Sequence, residues 1–119
     1  MKKIGLLTLL ILANSCIYAQ VDYMSGLRAC EATKSAANVA QTYRQLGMKD
    51  TDAKSMLLAF NHLIKDEGNR NRNIELVNNV VTEAFNFPIL ETRELKDEAI
   101  KSFTENRYSQ CLKELNSRK

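Results

Sequence analysis

The chain is poor in the residues that most site chemistry requires. Its only histidine is His62, and its three cysteines, Cys16, Cys30 and Cys111, include no Cys-x-x-Cys pair. A zinc site or a thioredoxin-like redox motif therefore has no ligand set. There is no glycine-rich phosphate loop, no nucleophile elbow and no metal-binding helix motif, so phosphoryl transfer, serine-type hydrolysis and metalloprotease chemistry lack their usual carriers. Apolar runs are short: Ile4 to Leu12, even extended to Ala13, is about half the roughly 20 residues needed to cross a bilayer. Repeats, low-complexity tracts and a second-domain linker are also missing, and Pro88 is the single proline.

What is present first is an export signal. Met1-Lys2-Lys3 is cationic, the apolar run follows, and Ile17-Tyr18-Ala19 ends a short polar region. This pattern is a secretory signal peptide over residues 1–19, with cleavage after Ala19 and a mature helical domain over 20–119. A competing reading makes Cys16 in Ala13-Asn14-Ser15-Cys16 a lipidated residue and the product membrane-anchored; Asn14 and the lack of leucine at position 13 fit that poorly. Loss of Lys2 and Lys3 with the leader leaves 15 basic residues against 14 acidic ones. So balanced a charge gives no support for a nucleic-acid surface, which needs a clustered positive field.

Export also settles the cysteines. Cys16 leaves with the leader, and an even pair, Cys30 and Cys111, remains in an oxidising compartment. A disulfide between them closes about 80 residues, for which chain entropy gives roughly 4 to 5 kcal/mol. For a domain of ordinary stability, ~5 to 10 kcal/mol, that is a large share.

Helical periodicity runs through the mature region. Asp22 to Leu46 is rich in alanine (Ala29, Ala32, Ala36, Ala37, Ala40) and stops at Gly47. The alanines fit either close approach by neighbouring helices or simple helix-forming preference. Asp50 or Thr51 caps a second helix reaching about Asp66, with Ala53, Met56, Leu57, Phe60, Leu63 and Ile64 on one stripe and Gly68 as its stop. Asn69 to Asn73 reads as a loop, and Asn73 caps a third helix with Ile74, Val77, Val80, Val81, Ala84 and Phe85 inward. Pro88 ends that run, and Thr92 caps a last helix, Glu94 to Leu115, whose inner face is Leu95, Ala99, Phe103, Cys111 and Leu115. The expected fold is all-α: a small antiparallel bundle of about four helices tied by one disulfide, organised around the last helix. An even helix count brings Cys30 and Cys111 to the same end of the bundle, as a disulfide requires.

Catalysis finds no foothold. His62 reads as a surface or half-buried structural residue with no partner nucleophile at a useful spacing. Glu83, Glu91, Glu94, Asp97 and Glu98 read as solvated carboxylates, several of them complementing a helix start, rather than a glycosidase pair. The chain reads as a non-enzyme with no cofactor and no metal, and binding remains. Arg70 and Arg72, alternating with asparagines, are the candidate partner-binding residues, able to present planar donors to carboxylates; a solvated turn is the alternative. Tyr108 is read as a core residue beside the bridge in preference to a partner anchor.

The order of a leader, Cys30 on an alanine-rich helix, Tyr43-Arg44-x-x-Gly47, Met56-Leu57, Ala84-Phe85-x-x-Pro88, Ala99-Ile100-x-x-Phe103 and Tyr108-x-x-Cys111 resembles a group of small exported proteobacterial two-cysteine helical proteins. Some of these look like type VI secretion immunity proteins of the Rap and Tai type. The resemblance implies a periplasmic inhibitor that blocks the active-site groove of a peptidoglycan amidase toxin, often as a homodimer, with no stable membrane span. It assigns no contact residues. A periplasmic acid-stress chaperone, a role that two-cysteine helical proteins also fill, and an envelope-associated protein without enzymatic activity are the alternatives.

Overall fold

The structure, a computed structural model, describes the backbone of residues 2–118 and the side chains of residues 23–118. The expected leader, with Cys16 and the expected cleavage after Ala19, falls where side chains lie outside the described residues. Four α-helices pack together: α1 (Lys2–Gln45), α2 (Asp50–Leu57), α3 (Glu67–Phe85) and α4 (Arg93–Ser117), with one 3-10 turn at Asn61–Leu63 between α2 and α3.

The expected all-α architecture and its disulfide are both present, but the organising helix is the first and not the last. α1 meets each of the other three helices, and its most extensive packing is with α4. Orientation follows from the cross-links. Cys30 and Cys111 are bonded with 5.5 Å between their Cα atoms, while at the far end the Gln45 side chain reaches Pro88 and Leu90 just before α4 begins. α4 is thus antiparallel to α1. α3 is parallel to it, because Gln41 Nε2 donates to the Ala84 carbonyl near the C-terminal ends of both.

The helix ends have local causes. Gly47 sits at φ +82°, its N–H donates to Arg44 O at 3.0 Å, and the Met48 N–H donates to Tyr43 O at 3.1 Å. That pair of bonds is a Schellman stop, in which the left-handed position suits glycine. Thr92 caps α4 as expected, its Oγ1 accepting from Leu95 N at 3.2 Å. Gly68, by contrast, is no stop. Asp66 caps α3 by accepting from Asn69 N at 2.8 Å, so Gly68 lies inside the first turn. The segment expected as a loop, Asn69 to Asn73, is therefore helical, and the cap is seven positions earlier than Asn73.

The core is small and lies toward the Gly47 end. Its buried members are Ala37 and Ala40 of α1, Ala53 of α2, Val77, Val80, Val81 and Ala84 of α3, and Phe103 of α4. Alanines thus supply half of a core shared by four helices, and there the close-approach reading holds. Ala29 and Ala32 are exposed, so for them helix preference is the sufficient reason. Leu95, expected inside, is 46% exposed, whereas Phe103 is buried and meets the Phe87 ring edge-on at 5.4 Å between centroids.

Two buried glutamines tie this end together. Gln45 Nε2 donates to Gln41 Oε1 and to Pro88 O, and Gln45 Oε1 accepts from Leu90 N at 2.9 Å. The Gln45 carbonyl, one of the orphan acceptors at the end of α1, accepts from Lys96 Nζ at 2.8 Å. Arg44 Nε adds a bond to Phe87 O. The connector from α3 to α4 is thereby held by the last turn of α1, in addition to the Phe87 ring on Phe103, while Ile89 is exposed.

Candidate functional site

The predicted binding residues lie where α2, the 3-10 turn and α3 meet. Arg70 is only half-exposed: its Nη1 donates to the carbonyls of Ile64 and Lys65, so its guanidinium is turned inward and braces the corner. Arg72 is exposed and donates to Asn69 Oδ1 on its own helix. The two are not a pair of loop donors. One holds the corner and the other stands on its surface.

The surface Arg70 braces is apolar. After Leu57 the α-helix gives way to turns bonded i to i+3, with Asn61 N donating to Leu58 O and Leu63 N to Phe60 O. The expected helix to Asp66 is broken there, and with it the 3.6-residue register that placed the whole stripe inside. Ala53 is buried and Leu57 and Ile64 are half-buried, but Met56, Phe60 and Leu63 are 56%, 75% and 64% exposed. Residues three apart in a 3-10 turn eclipse one another, so Phe60 and Leu63 share an outward face. Asn73, expected as a cap, instead donates its Nδ2 to Asn61 Oδ1 and ties the turn to α3. Sequence reasoning sees these apolar residues but assigns them to the core, since periodicity carries no sign of which stripe will find a partner.

The remaining chemistry-bearing residues are dispersed. His62 is exposed on the 3-10 turn. Glu83 forms the ion pair with Arg107 at 3.0 Å, while Glu91, Glu94, Asp97 and Glu98 are exposed near the start of α4. Among the described residues no three His, Cys, Asp or Glu side chains are grouped to hold a metal ion.

Tyr108, expected in the core, is only half-buried, lies outside the buried cluster and keeps a polar contact. Its hydroxyl donates to Glu31 Oε1 at 2.8 Å, and Lys34 Nζ lies 4.8 Å from the ring centroid. The hydrogen bond to the Glu31 carboxylate raises the phenol above its ordinary 10.0, with desolvation and the charge of Glu31 acting in the same direction. A raised acid favours the folded state below the unfolded value, and that advantage is lost as pH rises through the folded one. Tyr108→Phe is accordingly expected to remove a late-titrating phenol from the alkaline ultraviolet titration. The variant should also lose stability less steeply above pH 10.

No helix among the described residues is long and apolar enough to cross a membrane. The disulfide is of the kind that an oxidising compartment maintains. Compared with known proteins, the chain matches no family model, no curated protein and no solved structure.

Proposed function

We propose that the protein is a periplasmic, non-enzymatic inhibitor: an immunity protein that neutralises a peptidoglycan amidase delivered by type VI secretion. The observation that carries a binding role is the outward apolar face of Met56, Phe60 and Leu63, set on a helical scaffold and braced by Arg70. Large apolar side chains exposed close together in the chain, here at the end of α2 and through the 3-10 turn, mark interaction sites, and aromatic anchors dominate binding energy. The choice of an amidase as the partner rests on the family resemblance alone, in the order of Cys30, Tyr43, Gly47, Phe103, Tyr108 and Cys111. Arg72, exposed beside the braced corner, is positioned to meet a carboxylate at the rim of such a complex.

The test is inhibition. The purified protein should block a cognate amidase stoichiometrically, and its gene should neighbour that of the enzyme. The Phe60→Asp variant should weaken inhibition by about 30-fold or more, the range of a binding hot spot. Its far-ultraviolet circular dichroism and melting temperature should remain those of the parent, since Phe60 is 75% exposed. Absence of binding to any cognate hydrolase would remove the immunity role, and undiminished inhibition by the variant would remove the face.

A further inference from the structure

The two cysteines differ in their access to solvent. Cys30 is 1% exposed, whereas Cys111 is half-buried and lines a cavity of about 170 Å³ together with Thr33, Leu76, Arg107, Gln110 and Glu114. Arg107 gives Nη1 to both Glu83 oxygens, while its buried Nε has no hydrogen-bond partner among the described residues. Glu83 pairs the guanidinium and Glu114 adds a further negative charge, so what the cavity offers an incoming thiolate is access to Cys111.

Packing is equally uneven along the clasped pair. Every member of the buried apolar cluster on α1 and α4 lies between Ala37 and Phe103, on the Gly47 side of the bridge. Among the described residues none of α4 after Thr104 is buried, and on α1 none before Cys30. This end is held by the disulfide, by Tyr108 on Glu31, by Arg107 on Glu83, and by Leu115 lying over Gly26, where a methyl group would collide with it.

We infer that Cys111 is a site of thiol–disulfide exchange, reached through this cavity, and that opening the bond there releases the ends of α1 and α4 while the Val77–Ala84 core stays folded. A dithiol supplies the reducing equivalents. One of its thiolates bonds to Cys111 Sγ as the Cys30–Cys111 bond breaks, and Cys30 leaves as a thiolate and takes up a proton. The second thiol then attacks the mixed disulfide, Cys111 leaves and is protonated, and the dithiol ends as a disulfide; two electrons and two protons pass to the protein. Cys30, enclosed between helices, is the leaving group and not the point of attack.

Two measurements on the oxidised full chain test this. In the first, the folded protein is mixed with glutathione, quenched with acid at early times, and the adduct mapped by mass spectrometry. Glutathione should be found on Cys111, with Cys30 as the free thiol, by about tenfold or more over the reverse. Attack at Cys30, equal attack at both, or exchange only in denaturant would overturn the assignment. In the second, hydrogen exchange is compared before and after reduction with dithiothreitol. Faster exchange confined to residues 23–33 and 105–117 is expected, and simultaneous loss of protection at Val77–Ala84 would overturn the local release.

Discussion

Phe103→Ala is expected to cost about 3 to 5 kcal/mol, the range for removing a buried aromatic side chain from a core. Phe103 is the single apolar residue of α4 that is fully buried, and it also supplies one ring of the edge-on pair with Phe87. Because the core cluster has only eight buried apolar members among the described residues, half of them alanine, little around it can collapse to fill the cavity. A domain of this size has ~5 to 10 kcal/mol in total, so the oxidised variant should unfold at a far lower urea concentration than the parent. Leu95→Ala is the matched control: at 46% exposure, it should change stability by no more than about 0.5 kcal/mol. Equal effects of the two would mean that α4 is rotated from the position described.

Gln45→Leu is expected to cost about 2 to 3 kcal/mol although leucine has nearly the same volume. The amide is 3% exposed and serves Gln41 Oε1, the Pro88 carbonyl and the Leu90 N–H at once. Removing it leaves those partners without a bond in a place that water reaches poorly, and the desolvation penalty of an unpaired buried group is about 1 to 3 kcal/mol each, in part relieved by relaxation. The Leu90 amide should also lose its protection against hydrogen exchange in the variant. Stability within about 0.5 kcal/mol of the parent, with Leu90 still protected, would show that the connector is held by something other than this glutamine.

These two residues mark the boundary of what the sequence discloses. Phe103 is legible because it recurs at helical spacing with Ala99, and the cysteine pair because a leader-like start, read as an export signal, leaves an even number of cysteines to be joined. Gly47 and Thr92 are legible for the same kind of reason, each having a local stereochemical role that needs no knowledge of the rest of the fold. Gln45 is not legible. A glutamine near a helix end is ordinarily solvated, and only the approach of residues 88–90, distant in sequence, gives it partners.

The misplacement of Asn69 to Asn73 has a similar origin. Gly68 looks like a helix stop of the same kind as Gly47, but a competing acceptor, Asp66, lies just ahead of it and starts a helix instead. Propensity alone does not decide between the two. The candidate site is legible only in part: Arg70 and Arg72 stand out in the sequence but lie on α3 and not in a loop, and the exposed apolar residues beside them are Met56, Phe60 and Leu63, which periodicity sends inward. Their exposure depends on the helix giving way to 3-10 turns after Leu57, a change with no unmistakable signal in the residues. Likewise, that α1 is the common partner of the other helices follows from its alanines only once their neighbours are known.

The central claim is that α4 runs back along α1 and is clasped to it at the end away from the core. Proteolysis of the purified, unreduced protein in the presence of an alkylating reagent tests it most directly. A single cross-linked peptide pair joining Cys30 to Cys111 is the predicted product. Alkylation of both cysteines without prior reduction, or their recovery in any other pairing, would contradict the arrangement of the helices.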